Sequence, residues 1–204
     1  MTPIRDDKPL WGLGEVLRLA LPASLSMLNM TVMRFVDALM VGQVGPGPVS
    51  AQFFGGMSAF VPESFAVGLL TVVSTWVSQN LGAGREDRCG AYAWAGIGLA
   101  VAWALCILPL AIFSGSIWGA IGHAEAHLEA MYFTWMVCAV LITLPTRALE
   151  QFFYGIHRPG IIYVTSLVGN GFNVVANYAL IFGKWGLPAM GLRGAAIGTV
   201  AGWL

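Results

Sequence analysis

Charged side chains are scarce in this sequence. Lys, Arg, Asp and Glu together make up 10% of 204 residues, ten of each sign, while 57% are hydrophobic and mean hydropathy is +0.75. So little polar side chain cannot cover a water-facing globule, which argues against soluble classes, and the even balance leaves no basic field for nucleic acid and no acidic field for cationic proteins. Cysteine is scarce too. Cys89, Cys106 and Cys138 form no CxxC pair, and the latter two sit in apolar runs, so they read as small packing residues rather than metal ligands or disulfide partners. The N-terminus has Arg5, Asp6, Asp7 and Lys8 before Pro9, without the short apolar stretch and small-residue cleavage site of a signal peptide. Gly82-Ala83-Gly84-Arg85 is not followed by the Gly-Lys-Ser/Thr of a P-loop. No nucleophile elbow or Ser/His/Asp set appears, so the chain is not expected to be an enzyme, and an intramembrane hydrolase using His123 or His127 is a distant reading. His123, Glu125 and His127 have metal-like spacing but no further convincing ligand, and no metal or cofactor is assigned.

What the sequence does have is long apolar runs, with 26 Gly, 11 Phe and 8 Trp, a composition suited to helices packed closely in lipid with aromatic residues near the interfaces. A helix needs about 20 largely apolar residues to cross the hydrocarbon core. The gaps between charges predict an all-α polytopic membrane bundle of about six transmembrane helices, near residues 16–41, 49–81, 89–113, 128–153, 160–183 and 187–204, after a polar segment over 1–15. The breakers from Gly42 to Pro48 predict a tight turn between the first two, and a short Gly/Ser loop is expected after the third. The last run is still apolar at Trp203-Leu204, so the chain is expected to stop inside its sixth span. Arg5, Lys8, Arg18, Arg85, Arg88, Arg147 and Arg158 fall on one side of these spans, against Lys184 and Arg193 on the other; the N-terminus is therefore predicted to be cytoplasmic, in a plasma membrane. Pro22, Pro62, Pro109 and Pro145 place one proline in each of the first four spans and predict kinks whose freed carbonyls can line a cavity.

Several polar groups sit at membrane depth. Arg34 and Asp37 lie in the outer half of the first span, and Glu63 near the middle of the second. An Asp or Arg at a helix centre costs about 2.5–3.5 kcal/mol on insertion scales and by default marks a pathway or a paired site. Two readings follow: a structural ion pair, Arg34 with Asp37 or with Glu63, or a carboxylate that takes up and releases a proton or small cation. In the fifth span Ser166, Asn170, Asn173 and Asn177 recur at i, i+4, i+7 and i+11, one face of a helix that is otherwise apolar. That stripe is either part of a site or hydrogen-bonding glue between helices. Gly194, Gly198 and Gly202 form a small-residue ridge beside Thr199, and Met27, Met30, Met33 and Met40 give the first span a pliable face.

Three stretches, in order, resemble the N-terminal half of the multidrug and toxic compound extrusion (MATE) transporters. They are LALPASLSMLNMTVMRFVDALMVGQVG from Leu19 to Gly45, GLLTVVSTWVSQNLGAGRED from Gly68 to Asp87, and GNGFNVVANYALIFGKWGLPAMGLRGAAIGTV from Gly169 to Val200. The resemblance implies one lobe of a twelve-helix antiporter whose two six-helix lobes rock around a central cavity. Such a protein exports organic cations, drugs or toxic metabolites in exchange for Na+ or H+. Carried over by position, Asp37 is similar to the family's first-helix coupling carboxylate, Asn173 to its fifth-helix asparagine and Thr199 to its sixth-helix threonine. Asn177 stands where many members have Asp, while the NorM-type branch resembles this chain in having Asn there, and Arg34 stands where a small or neutral residue is usual. Arg34, Glu63, Asn170 and Ser166 are further candidates for the substrate cavity or an ion pair.

The partners implied are membrane lipid, small organic substrates, and either a missing C-terminal lobe or a second copy of the chain, since a full member is about twice this length. Two rivals remain: a flippase of lipid-linked oligosaccharides from the same superfamily, and a non-transporting membrane scaffold in which the polar stripe only holds helices together.

Overall fold

The computed structural model describes residues 12–203, so Arg5 and Lys8 of the charge-asymmetry argument lie outside the described residues. Every regular element among the described residues is helical: α1 Leu13–Gly42, α2 Pro46–Gly82, α3 Glu86–Ile107, α4 Pro109–Ile112, α5 Ser114–Ile121, α6 Ala126–Gly155, α7 Pro159–Phe182 and α8 Leu192–Gly202. Five helical stretches are long and apolar enough to cross a membrane: Ala20–Gly42, Pro46–Gly82, Glu86–Ile112, Ala126–Gly155 and Pro159–Phe182. The protein is an integral membrane helix bundle.

Local sequence sets the turns. Between α1 and α2 the backbone passes through Gly45 at φ 148°, a conformation glycine adopts readily, and Pro46 opens α2, where a missing N–H goes unmissed. At the other end of the bundle Gly84 turns at φ 70°. Glu86 and Asp87 then occupy the first turn of α3, where negative charge suits the helix dipole. Pro159 starts α7, and Gly183, at φ 66°, ends it.

Three parts of the chain depart from the sequence reading. The third span, Glu86–Ile112, is broken after Ile107, because Pro109 has no N–H to continue α3 and instead opens the single turn of α4. The stretch expected to be a Gly/Ser loop forms α5, whose Trp118 is buried against Phe133 of α6. The sixth helix starts at Leu192 rather than near 187, leaving α8 with 11 residues. Pro188 interrupts the apolar run, and the connecting strap is tied back to α7 by hydrogen bonds from the Met190 and Gly191 N–H groups to the Leu180 and Ile181 carbonyls. Pro22, Pro62 and Pro145 do lie inside helices, in α1, α2 and α6.

The helices pack as two groups. In the first, α2, α3 and α6 lie together with α4 and α5; in the second, α1 and α8 pack on α7. Backbones approach closely in both. A Cβ added at Gly55 of α2 would lie 2.8 Å from the Glu129 carbonyl oxygen of α6, and one at Gly194 of α8 would lie 2.6 Å from the Leu180 backbone of α7. The two groups join at one end, where Val41, Ala51, Tyr132, Ile181, Leu192 and Ala195 form a buried cluster drawn from α1, α2, α6, α7 and α8. Beyond that cluster a cavity separates them.

If the Gly55 approach holds α2 against α6, Gly55→Ala should destabilise the protein by about 1–3 kcal/mol, the usual range for overpacking. Gly119→Ala in α5, where an added Cβ meets nothing within 4 Å, should leave the melting temperature in detergent unchanged. Equal melting temperatures for the two variants would show that the α2–α6 contact is not tight.

Candidate functional site

The cavity between the two helix groups has a volume of about 570 Å³. Its walls come from residues spaced to share one helix face. From α2 come Gln52, Gly56, Ala59 and Glu63, at i, i+4, i+7 and i+11; from α6 come Tyr132, Met136, Ala139 and Thr143 at the same spacing. Facing them are Met30, Met33, Arg34 and Asp37 of α1, with Thr199 of α8 and Trp203 just past its end. Met and Ala are the commonest wall residues, and Arg34, Asp37, Gln52, Glu63, Tyr132, Thr143 and Thr199 supply the polar groups.

Asp37 belongs both to this wall and to the interior of the α1–α7–α8 group. It is 4% exposed, and its Oδ1 accepts a 2.7 Å hydrogen bond from Asn177 Nδ2. The same Asn177 Nδ2 lies 3.2 Å from Asn173 Oδ1, and Asn173 Nδ2 donates to the Gly198 carbonyl of α8 at 3.1 Å. Both asparagines are fully buried. The glycine ridge of α8 makes this possible: a Cβ at Gly198 would collide with Asn177 Oδ1, and one at Gly202 would lie 2.6 Å from Asn173 Cβ. Asn177 Oδ1 is buried with no hydrogen-bond partner among the described residues. Thr199 turns its hydroxyl back to the Ala195 carbonyl at 2.8 Å while lining the cavity.

The α7 stripe therefore divides. Asn173 and Asn177 reach Asp37 and α8. Asn170 instead donates to the Asn29 carbonyl of α1 at 3.1 Å, and Ser166 accepts from Asn29 Nδ2 at 3.4 Å. Neither Asn170 nor Ser166 lines this cavity; they join α7 to α1 because Asn29 faces them across that interface. Glu63 does line the cavity and accepts a 3.1 Å hydrogen bond from Thr143 of α6. Arg34 lines it as well, but neither of the structural ion pairs considered for it forms. Among the described residues the ion pairs are His123–Glu129 and Arg147–Glu150. Asp37 is turned to Asn177, and Glu63 stands on a different helix across the open space.

Other functional candidates escaped the sequence reading. Gln52, Tyr132 and Thr143 carry the i, i+4, i+7, i+11 signal that marked α7, but the positions between them are Gly, Ala and Met, so the polar stripe is diluted. Arg147 is not a loop residue. It is three-quarters buried inside α6, bonded to Glu150 at 2.8 Å, with its guanidinium 4.7 Å from the centre of the Trp203 ring. Glu129 is 1% exposed and lies 3.1 Å from His123 Nδ1, a pairing that joins the α5–α6 connection to α6.

Residues 22–179 match the family model described as MatE. A probable multidrug resistance protein NorM from Mesorhizobium japonicum is 30% identical, the match covering 96% of this chain and 43% of that protein. One from Pseudomonas syringae pv. tomato is 32% identical, covering 94% and 42%. Among solved structures, a eukaryotic MATE transporter superposes with a TM-score of 0.81 at 25% identity, covering 94% of this chain and 43% of that one. A MOP superfamily transporter from Pyrococcus furiosus superposes with a TM-score of 0.83 at 19% identity, covering 92% and 41%, a likeness of fold alone. The chain thus spans less than half the length of the relatives it matches.

Removing the Asn177 amide would leave a buried carboxylate oxygen without its donor. Asn177→Ala should therefore destabilise the protein by about 1–3 kcal/mol, the penalty for orphaning a buried polar group. Asn170→Ala, at a part-buried bond to a backbone carbonyl, should lower the detergent melting temperature less. The reverse order would mean that the Asp37–Asn177 bond is not what holds α1 to α7.

Proposed function

The chain belongs to the MatE family, and on that footing we propose that it forms one lobe of a secondary active antiporter that exports organic cations, drugs or toxic metabolites in exchange for Na+ or H+. The observation that carries the reading is Asp37: a carboxylate buried among α1, α7 and α8 that is also part of the cavity wall, with no cationic partner among the described residues. An unneutralised carboxylate at membrane depth is costly, and binding a proton or a monovalent cation removes most of that cost. The amide that holds Asp37 carries a further buried oxygen, Asn177 Oδ1, which has no hydrogen-bond partner among the described residues. Asn173 ties α7 to α8 through the Gly198 carbonyl, and Thr199 of α8 lines the same cavity as Asp37.

Coupling follows from the shared position. The group that takes up the ion is attached through Asn177 and Asn173 to α7 and α8, and stands one helical turn from Arg34 and Met33 in the cavity. A change in its charge alters how α1 packs, and so alters the cavity. Alternating access needs a second lobe to move against this one, supplied by a longer chain or by another copy. Arg18, Arg85, Arg88 and Arg158 fall at the same end of the helices, opposite Lys184 and Arg193, which supports a cytoplasmic N-terminus in the plasma membrane.

In everted membrane vesicles containing the protein with its full complement of lobes, an imposed Na+ or proton gradient should drive accumulation of a fluorescent organic cation, and Asp37→Asn should abolish it. Undiminished gradient-driven transport by Asp37→Asn would remove Asp37 from the coupling role. Transport by neither form, with the protein correctly inserted, would remove the antiport reading itself.

A further inference from the structure

The cavity holds two opposite charges that do not meet. Arg34 is exposed on its α1 wall and makes no hydrogen bond or ion pair with any described residue. Glu63 stands on the α2 wall, oriented by Thr143, and forms no ion pair with any described residue. Asp37 does not neutralise Arg34 either, because its carboxylate is drawn to Asn177. Between these groups the walls are pliable and aromatic, with Met30, Met57 and Met136 beside Phe53, Phe60 and Trp203.

A guanidinium left without an anion beside apolar walls is poised to take one, and a carboxylate, which its planar fork matches with two parallel hydrogen bonds, is the best fit. An organic cation lacking an anionic group would gain Glu63 but would meet Arg34 as a like charge. We propose that the cavity is built for dipolar aromatic ligands, with Arg34 binding the ligand's anionic group, Glu63 its cationic group, and the Met and Phe side chains its flat body. The inference rests on the transport reading of the cavity and narrows its substrate class.

Rhodamine B, which carries a free carboxylate beside a cationic ring system, and its ethyl ester, which lacks the anion, separate the two contributions. Binding of each is followed by fluorescence anisotropy with the protein extracted intact from its membrane. The wild type should bind the free acid about tenfold more tightly than the ester, the size of one charge-assisted hydrogen-bonded contact. Arg34→Gln should erase that preference by weakening the acid alone, Arg34→Lys should keep part of it, and Glu63→Gln should weaken both dyes. Equal binding of the two dyes by the wild type, or a preference that survives in Arg34→Gln, would overturn the proposal while leaving the transport reading in place. Failure of both dyes to bind a protein whose melting transition is normal would overturn both.

Discussion

Inside a bilayer, a buried amide or carboxylate has no water to turn to and must find its partner within the protein. In this chain that constraint is met by how closely α8 approaches α7. Gly198 and Gly202 present bare backbone to α7, so the Asn177 and Asn173 side chains fit between the helices instead of pushing them apart, and Asn173 can donate to the Gly198 carbonyl. With the amides fixed there, Asn177 can hold Asp37 of α1. The position of one carboxylate thus depends on the absence of side chains on a helix two elements away.

The same requirement shapes the cavity. Each wall helix gives it a single stripe and turns its other faces to lipid or to neighbours within its own group. On α2, for example, Phe65, Leu69 and Val72 are exposed while Ala66, Leu70 and Val73 are buried. Because the two groups are fastened together at the Val41–Leu192 cluster and share little contact beyond it, polar groups such as Gln52 and Glu63 can be exposed to an internal space without being exposed to hydrocarbon.

The spacing of charges was enough to read an all-helical membrane bundle, since five uninterrupted apolar stretches leave few other ways to satisfy the backbone. Boundaries were less legible where proline and hydrophobicity pointed in opposite directions. The run after Lys184 is apolar apart from Arg193 and Thr199, yet Pro188 delays the helix to Leu192; Pro109 ends α3 within a stretch free of charge. The α7 stripe was visible because asparagine stands out in an apolar helix, but the sequence did not separate Asn173 and Asn177 from Asn170 and Ser166. That division depends on which neighbour lies opposite, Gly198 or Asn29, and periodicity within one helix carries no such information. Arg147 shows the same limit: the sequence counted it among the charges on one side of the spans, whereas Glu150 and the Trp203 ring hold it inside the bundle.

Two carboxylates of this lobe are set in different surroundings, and those surroundings divide their work on the reading advanced above. Asp37 is bound into helix packing through an amide, so a change in its charge acts on how α1 sits against α7 and α8. Glu63 accepts from one hydroxyl and lines the cavity, so its charge acts on whatever fills that space. Arg34, one turn before Asp37 on the same helix, links the two: a ligand anion that engages it pulls on the helix carrying the ion site, without needing to touch that site. Ligand and ion can then oppose or favour one another through the position of α1 alone, a simpler requirement than competition for one carboxylate and one that tolerates ligands of many shapes.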